Sequence, residues 1–408
     1  MEYYIHKLKN GIKLIHKPSL SPVAHCGIII NTGARDESDS QLGMAHFIEH
    51  LIFKGTNKRK AHHILSRMED VGGEINAYTT KEETCIQVSF FNNYYDRAFE
   101  LISDMIFNSV FPDREIFKEK VVILDEINSY KDSPYEQLYD DFEEIIFKGN
   151  PVARNILGTE KSLNSYGRND LLKFYQDNYP TNEMIVSSVG NVSLKIIVVY
   201  FEKYFSDISE KKRKIPRQQY DLSKYSPIKK KSVKNTYQAH CIIGNQAFGN
   251  LSEKRYALHL LNNLLGGPGM NSRLNMNLRE RKGLAYNVES NYTTYSDTGI
   301  INIYFGTNKI DVDKCIKLTH GELKILRQKL LGTVQLARAK RQLIGQIAIG
   351  AESNESQMIS NGRSLLLYNR IESLSEINNK IEAISAKQIR DVTNEIFNPD
   401  CLSYLIYE

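Results

Sequence analysis

The pentapeptide His46-Phe47-Ile48-Glu49-His50 constrains this chain more than any other stretch. At 3.6 residues per turn, positions i, i+3 and i+4 share one helix face, so a helix here points both imidazoles and the carboxylate the same way. Met44, Phe47, Ile48, Leu51 and Ile52 give that helix an apolar setting, and Gly55-Thr56 ends it. Two neutral imidazoles on one face form half of a tetrahedral zinc site, and the carboxylate is placed to take a proton from water held there. The competing reading is a packed helix whose two histidines hold no metal. The pentapeptide alone does not separate the two.

A zinc site of this kind needs a third protein ligand and keeps its fourth position for water. The richest downstream source is the helical segment from Asp113 to Ile127, where Glu115, Glu119 and Glu126 form a stripe on one face. Val121, Val122, Leu124 and Ile127 are expected to pack beside it. A stripe of acids on a partly apolar helix is more often a solvated face. Beside a two-histidine helix it becomes a ligand donor, with Glu126 favoured over Asp125, which points about 100° away.

H-x-x-E-H reverses the zinc motif H-E-x-x-H. With the residues around it, from Gly43 through Thr56, it resembles the zinc helix of the pitrilysin, insulin-degrading enzyme and mitochondrial processing peptidase family of metallopeptidases. The resemblance runs nearly end to end and is strongest to the short bacterial two-domain members. It implies one Zn2+ per chain, bound by His46, His50 and Glu126, the last lying 76 residues after His50. It implies Glu49 as general base, and Glu119, two turns before Glu126, as a supporting carboxylate. Gly72-Gly73-Glu74-Ile75-Asn76-Ala77-Tyr78-Thr79 is similar to the family's edge strand, so Asn76, Ala77 and Tyr78 are implied to bind an extended substrate. A Gly-Gly turn followed by a short alternating run suits strand addition. Ser272-Arg273-Leu274 and the run Arg279 to Tyr286 resemble the segment that completes the site from the other half. By that match Arg279 and Tyr286 contact the substrate backbone and its oxyanion, a role for which a fixed cation and a phenol donor are suited.

At 408 residues the chain is long enough for two domains, each with its own core. Its 41% hydrophobic and 25% charged residues are those of a globular protein. The net charge of +5 is small, and much of the excess lies in residues 210–234, where ten Lys or Arg face two acids. With Pro216 and Pro227 and little apolar periodicity, that stretch reads as an exposed linker. No stacking aromatics or binding motif accompany it, so no nucleic-acid partner is expected. Five scattered cysteines without C-x-x-C suggest neither a disulfide framework nor a thiolate metal site, and fit a cytoplasmic protein. The N-terminus reads as a strand and turn rather than a signal peptide, and no run reaches membrane-spanning length. His62-His63, adjacent and divergent on a helix, are expected at the surface.

The chain also reads as duplicated. Ala24-His25-Cys26-Gly27-Ile28-Ile29-Ile30 and Ala239-His240-Cys241-Ile242-Ile243 open the two halves as strands, each followed by a polar turn, a long helix and further strands. The second copy, Leu258-His259-Leu260-Leu261-Asn262, lacks the motif. Gly266-Gly267-Pro268-Gly269 lacks the ending of a phosphate loop and reads as a turn. The expectation is an α+β chain of two homologous domains, 1–208 catalytic and 235–408 without the motif, joined by the basic linker 209–234. Each domain is a mostly antiparallel sheet with helices on one face, and the resemblance implies half of a clamshell. The expected activity is zinc-dependent endopeptidase action on unstructured peptides inside a chamber closed by a homodimer, or by a heterodimer with a related chain. The alternative is a non-catalytic structural or substrate-presenting subunit.

Overall fold

The computed structural model describes residues 3–221, 225–234 and 236–408. Met1, Glu2, residues 222–224 of the expected linker and Asn235, the first residue of the expected second domain, lie outside the described residues. The strands are β1 (Tyr4–Lys7), β2 (Lys13–Pro18), β3 (Val23–Ile30), β4 (Glu74–Thr79), β5 (Thr84–Phe91), β6 (Met184–Gly190), β7 (Lys229–Ser232), β8 (Ala239–Ala247), β9 (Ala285–Thr294), β10 (Gly299–Thr307) and β11 (Ser403–Tyr407). They form a six-stranded sheet ordered β1-β2-β6-β3-β5-β4 and a five-stranded sheet ordered β7-β11-β8-β10-β9.

The second sheet repeats the last five positions of the first. In each, one outer pair is parallel, β2 with β6 and β7 with β11. The remaining pairs of those five positions are antiparallel. The two similar strands, β3 and β8, therefore occupy the same central place, and the duplication extends to topology. The first helix after β3, Met44–Leu51, has only eight residues, shorter than the long helix expected; its counterpart Lys254–Gly266 has 13.

By contacts the chain divides into two compact units. The first contains residues 1–127, 154–218 and 349–371, and the second 128–153, 219–348 and 372–408. In the first unit Cys26, Ile28 and Ile30 of β3 face a core shared with Met44–Leu51, Ala61–Glu69, Tyr95–Phe107 and Leu194–Phe205. Alternation along the strand turns Gly27 and Ile29 to the opposite face, which the helix Asn354–Tyr368 covers. The approach is close: a Cβ on Gly362 would lie 2.4 Å from Ile29 Cδ1. The Ser187 hydroxyl donates to the Met358 carbonyl across the same contact at 2.6 Å.

The second unit repeats the plan. Cys241 and Ile243 face a core shared with Lys254–Gly266, Val312–Gln328 and Ala386–Ile396. Ile242 faces Leu138, Phe142 and Ile146 of the helix Pro134–Ile146. Each sheet thus carries most of its helices on one face and, on the other, one helix contributed by the opposite half of the sequence. No helix among the described residues is long and apolar enough to cross a membrane.

Candidate metal centre

The two-histidine helix starts at Gly43, whose φ of 84° favours glycine. A Cβ there would also stand 2.5 Å from the Leu157 carbonyl oxygen. Glycine offers no side chain to cap the first amides of the helix. The buried carboxylate of Glu37 does so instead, accepting from Gly43 N–H and Ala45 N–H at 2.9 Å each. Burial pushes this carboxyl up to about 8, against the two amide donors, which favour its charged form. Sequence reading missed Glu37. The available signal was an acid shortly upstream of a helix that has no capping residue of its own.

The carboxylate helix spans Asp113–Lys131. Its buried positions are Ile116, Glu119, Ile123 and Ile127, at i, i+3, i+7 and i+11. Val121 and Val122 do not pack as expected: both remain about half exposed, because they fall on the far side of that stripe. Asp125 is exposed, while Glu126, one position on, turns towards the histidines. Glu115 pairs with Lys118 at 2.8 Å.

His46, His50 and Glu126 come together, each offering one ligand atom within 4.8 Å of the others. Glu126 Oε2 lies 3.8 Å from His46 Nε2 and 3.7 Å from His50 Nε2. These separations exceed hydrogen-bond lengths. Tetrahedral Zn–N and Zn–O bonds of roughly 2.1 Å require ligand edges of about 3.4 Å, so the donor set is compatible with a zinc ion, the two Glu126 edges having a few tenths of an ångström to close. Burial, with His50 nearby, lowers the His46 imidazole to about 3, leaving it neutral as a metal ligand must be.

His50 Nδ1 stands 3.0 Å from Glu119 Oε2. An ionised carboxylate only accepts, so Nδ1 carries the proton and the Nε2 lone pair is free to face Glu126. The other Glu119 oxygen pairs with Lys54 Nζ at 2.8 Å. Burial would raise the Glu119 carboxyl, but hydrogen bonds from His50 and Lys54 and the Lys54 charge hold it below its ordinary value.

Glu49 shares the helix face, and burial raises its carboxyl above the usual range. The Thr79 hydroxyl and His50 oppose that rise, while Glu126 adds to it. The Thr79 contact falls short of good hydrogen-bond geometry: Thr79 Oγ1 and Glu49 Oε2 are both buried without a partner among the described residues. The interaction is therefore a weak one, and Glu49 has a free oxygen.

Asn76, Ala77 and Tyr78 lie on β4, at the edge of the first sheet, whose strand partner among the described residues is β5. The Tyr78 hydroxyl donates to Glu83 at 3.0 Å. Arg279 and Tyr286 belong to the second unit. Arg279 lies in a π-helical turn, Asn275–Glu280, of the kind often found at functional sites. Tyr286 is 73% exposed near the start of β9, the outer strand of the second sheet. His62 and His63 are exposed. All five cysteines are free thiols, four of them buried.

A duplicated α+β chain with a His-His-Glu cluster in one unit has the plan of a two-domain metallopeptidase. The chain belongs to peptidase family M16: residues 14–160 match the domain described as insulinase (peptidase family M16), and residues 165–343 match the peptidase M16 inactive domain. It is 32% identical to a Bacillus subtilis protein named uncharacterized zinc protease YmxG, over 98% of this chain and 96% of that one. It is 33% identical to an uncharacterized zinc protease of Rickettsia felis, over 99% of this chain and 97% of the relative. The fold is shared with a crystal structure of a Helicobacter pylori protease, with a TM-score of 0.94 and 21% identity over 100% and 99% of the two chains. It is shared too with the peptidase M16 inactive domain from Pseudomonas fluorescens, at a TM-score of 0.92 and 17% identity over 100% and 98%.

Proposed function

We propose that this chain is a zinc-dependent endopeptidase that hydrolyses unstructured peptides. The observation that carries the reading is the convergence of His46, His50 and Glu126 on one point, with the buried Glu49 carboxylate on the same helix face. Zinc held by these three residues supplies Lewis acidity to the scissile carbonyl and to the attacking water. Glu49, its proton affinity raised by burial, accepts the proton of that water and passes it to the leaving amine. Glu119, fixed by Lys54, keeps His50 in the tautomer that presents Nε2. β4 lies at the edge of its sheet among the described residues, and an extended peptide can add there as a further strand, displacing the Asn76 side chain that accepts from the Ala77 N–H.

In this reading Asn76, Ala77 and Tyr78 hold the substrate through its backbone, so sequence preference is loose. Arg279 and Tyr286 contact the substrate and steady its developing oxyanion. Two chains, identical or related, close the chamber, and the protein works in the cytoplasm. The test is hydrolysis of an unstructured fluorogenic peptide by the purified protein, before and after chelation and with zinc restored. Activity lost and regained supports the reading; undiminished activity in chelator overturns it.

A further inference from the structure

The second unit holds a cavity of about 410 Å3, lined in part by Ser272, Arg273 and Arg281 but not by Arg279 or Tyr286, the two residues assigned to the reaction. It lies between the turn after Lys254–Gly266, the π-helical turn and the start of the helix Thr333–Gly350. Three arginines line it. Arg273 is neutralised by Glu322, at 2.7 Å. Arg281 and Arg338 are exposed and form no ion pair among the described residues, so the cavity wall presents two further positive charges.

Two further features point to a ligand rather than a packing fault. Ser272, 3% exposed, also lines the cavity, and its hydroxyl has no hydrogen-bond partner among the described residues. An unsatisfied buried hydroxyl is unfavourable, and native structures rarely keep one without use. Part of the remaining wall is apolar, formed by Leu264, Leu331, Val334 and Ala339. At one side the Asn271 and Gln342 amides pair at 3.2 Å over Gly269, where a Cβ would stand 2.4 Å from Gln342 Nε2.

We propose that this cavity binds a small organic carboxylate carrying an apolar substituent, the chemistry of a free C-terminal residue with an aliphatic side chain. The carboxylate meets Arg281 and Arg338, whose guanidinium groups suit planar anions. The Ser272 hydroxyl, buried as it stands, turns about its side-chain bond to donate to it, and the ligand's side chain covers the apolar wall. A phosphate would satisfy the charges but leave that wall facing its hydration shell. The ligand has two possible sources, a free small acid or the C-terminal end of a peptide. The proposal is independent of proteolysis, because it is read as binding.

The test is calorimetric titration of the full-length, zinc-loaded protein with N-acetyl-L-leucine, its N-methylamide, inorganic phosphate and a pentapeptide ending in leucine as acid or amide. The acids are expected to bind at least about tenfold more tightly than the amides, and phosphate more weakly than N-acetyl-L-leucine. The metal centre can also take a carboxylate, so two variants decide the location. Arg338→Gln, at an exposed position, should weaken acid binding about tenfold or more; His50→Ala should leave it unchanged. A peptide acid that binds more tightly than N-acetyl-L-leucine, with the same Arg338 dependence, identifies a peptide end as the ligand; equal or weaker binding identifies a free acid. Equal binding of acid and amide, phosphate binding as tight as that of the acid, or full affinity in Arg338→Gln overturns the proposal.

Discussion

His50 and Glu119 meet at 3.0 Å through Nδ1 and Oε2, and this contact decides which imidazole nitrogen of His50 is free to face Glu126. Glu119→Gln keeps the shape but removes the charge that holds His50 and Lys54 together. The amide can also present its NH2 to Nδ1 and favour the wrong tautomer. The expected outcome is a zinc affinity about 10- to 100-fold weaker, measured by competition with a chromogenic chelator. Unchanged affinity would make Glu119 a packing residue only.

Glu49→Gln separates metal binding from chemistry. Glu49 is not among the three converging donors, so the variant should retain zinc. Loss of a proton acceptor costs about a hundred- to ten-thousandfold in turnover, read with the fluorogenic peptide. Hydrolysis at the parent rate would end the general-base assignment. His50→Ala removes a ligand and should lose zinc and turnover together.

Glu37 yields a prediction about stability. It joins the sequence before the two-histidine helix to the first amides of that helix, at Gly43 and Ala45. Glu37→Ala leaves buried donors unpaired and should lower unfolding stability by roughly 1–3 kcal/mol in urea titrations. Glu37→Gln, which retains an acceptor, should lose less. Equal stability of all three proteins would show that the cap contributes nothing.

The meeting of His46, Glu49 and His50 on one helix face was legible in sequence because helical spacing at i, i+3 and i+4 places side chains without knowledge of the fold. For Glu126 the helical spacing set it apart from Asp125, and the family resemblance favoured it by its distance from His50. Burial on that helix was less legible. Val121 and Val122 are apolar but half exposed, while the charged Glu119 is buried, since its partners Lys54 and His50 come from a distant segment. The covering of each sheet by a helix from the other half was also hidden. The helices Pro134–Ile146 and Asn354–Tyr368 have buried apolar faces, but a pattern does not say which sheet receives them. Arg213 and Arg217 make the same point: in sequence they belong to a basic run, and in the structure both pair with Asp36.

The last prediction concerns acid. His16 is fully buried, with Ser188 Oγ and the Val192 carbonyl each 3.2 Å from a ring nitrogen. Burial, only partly offset by those hydrogen bonds, lowers its imidazole from 6.5 to about 4. In the folded state it stays neutral where the unfolded chain already takes up a proton. The unfolded state therefore binds more protons between pH 6.5 and about 4, so stability falls as pH drops through that window and is fully present above it. For His16 the shift corresponds to on the order of 2–3 kcal/mol by the lower end of the window. Urea unfolding at about pH 7.5 and about pH 4.5 should show a smaller acid-induced loss in His16→Gln than in the parent protein. An identical loss in both would mean that His16 becomes protonated without leaving its site.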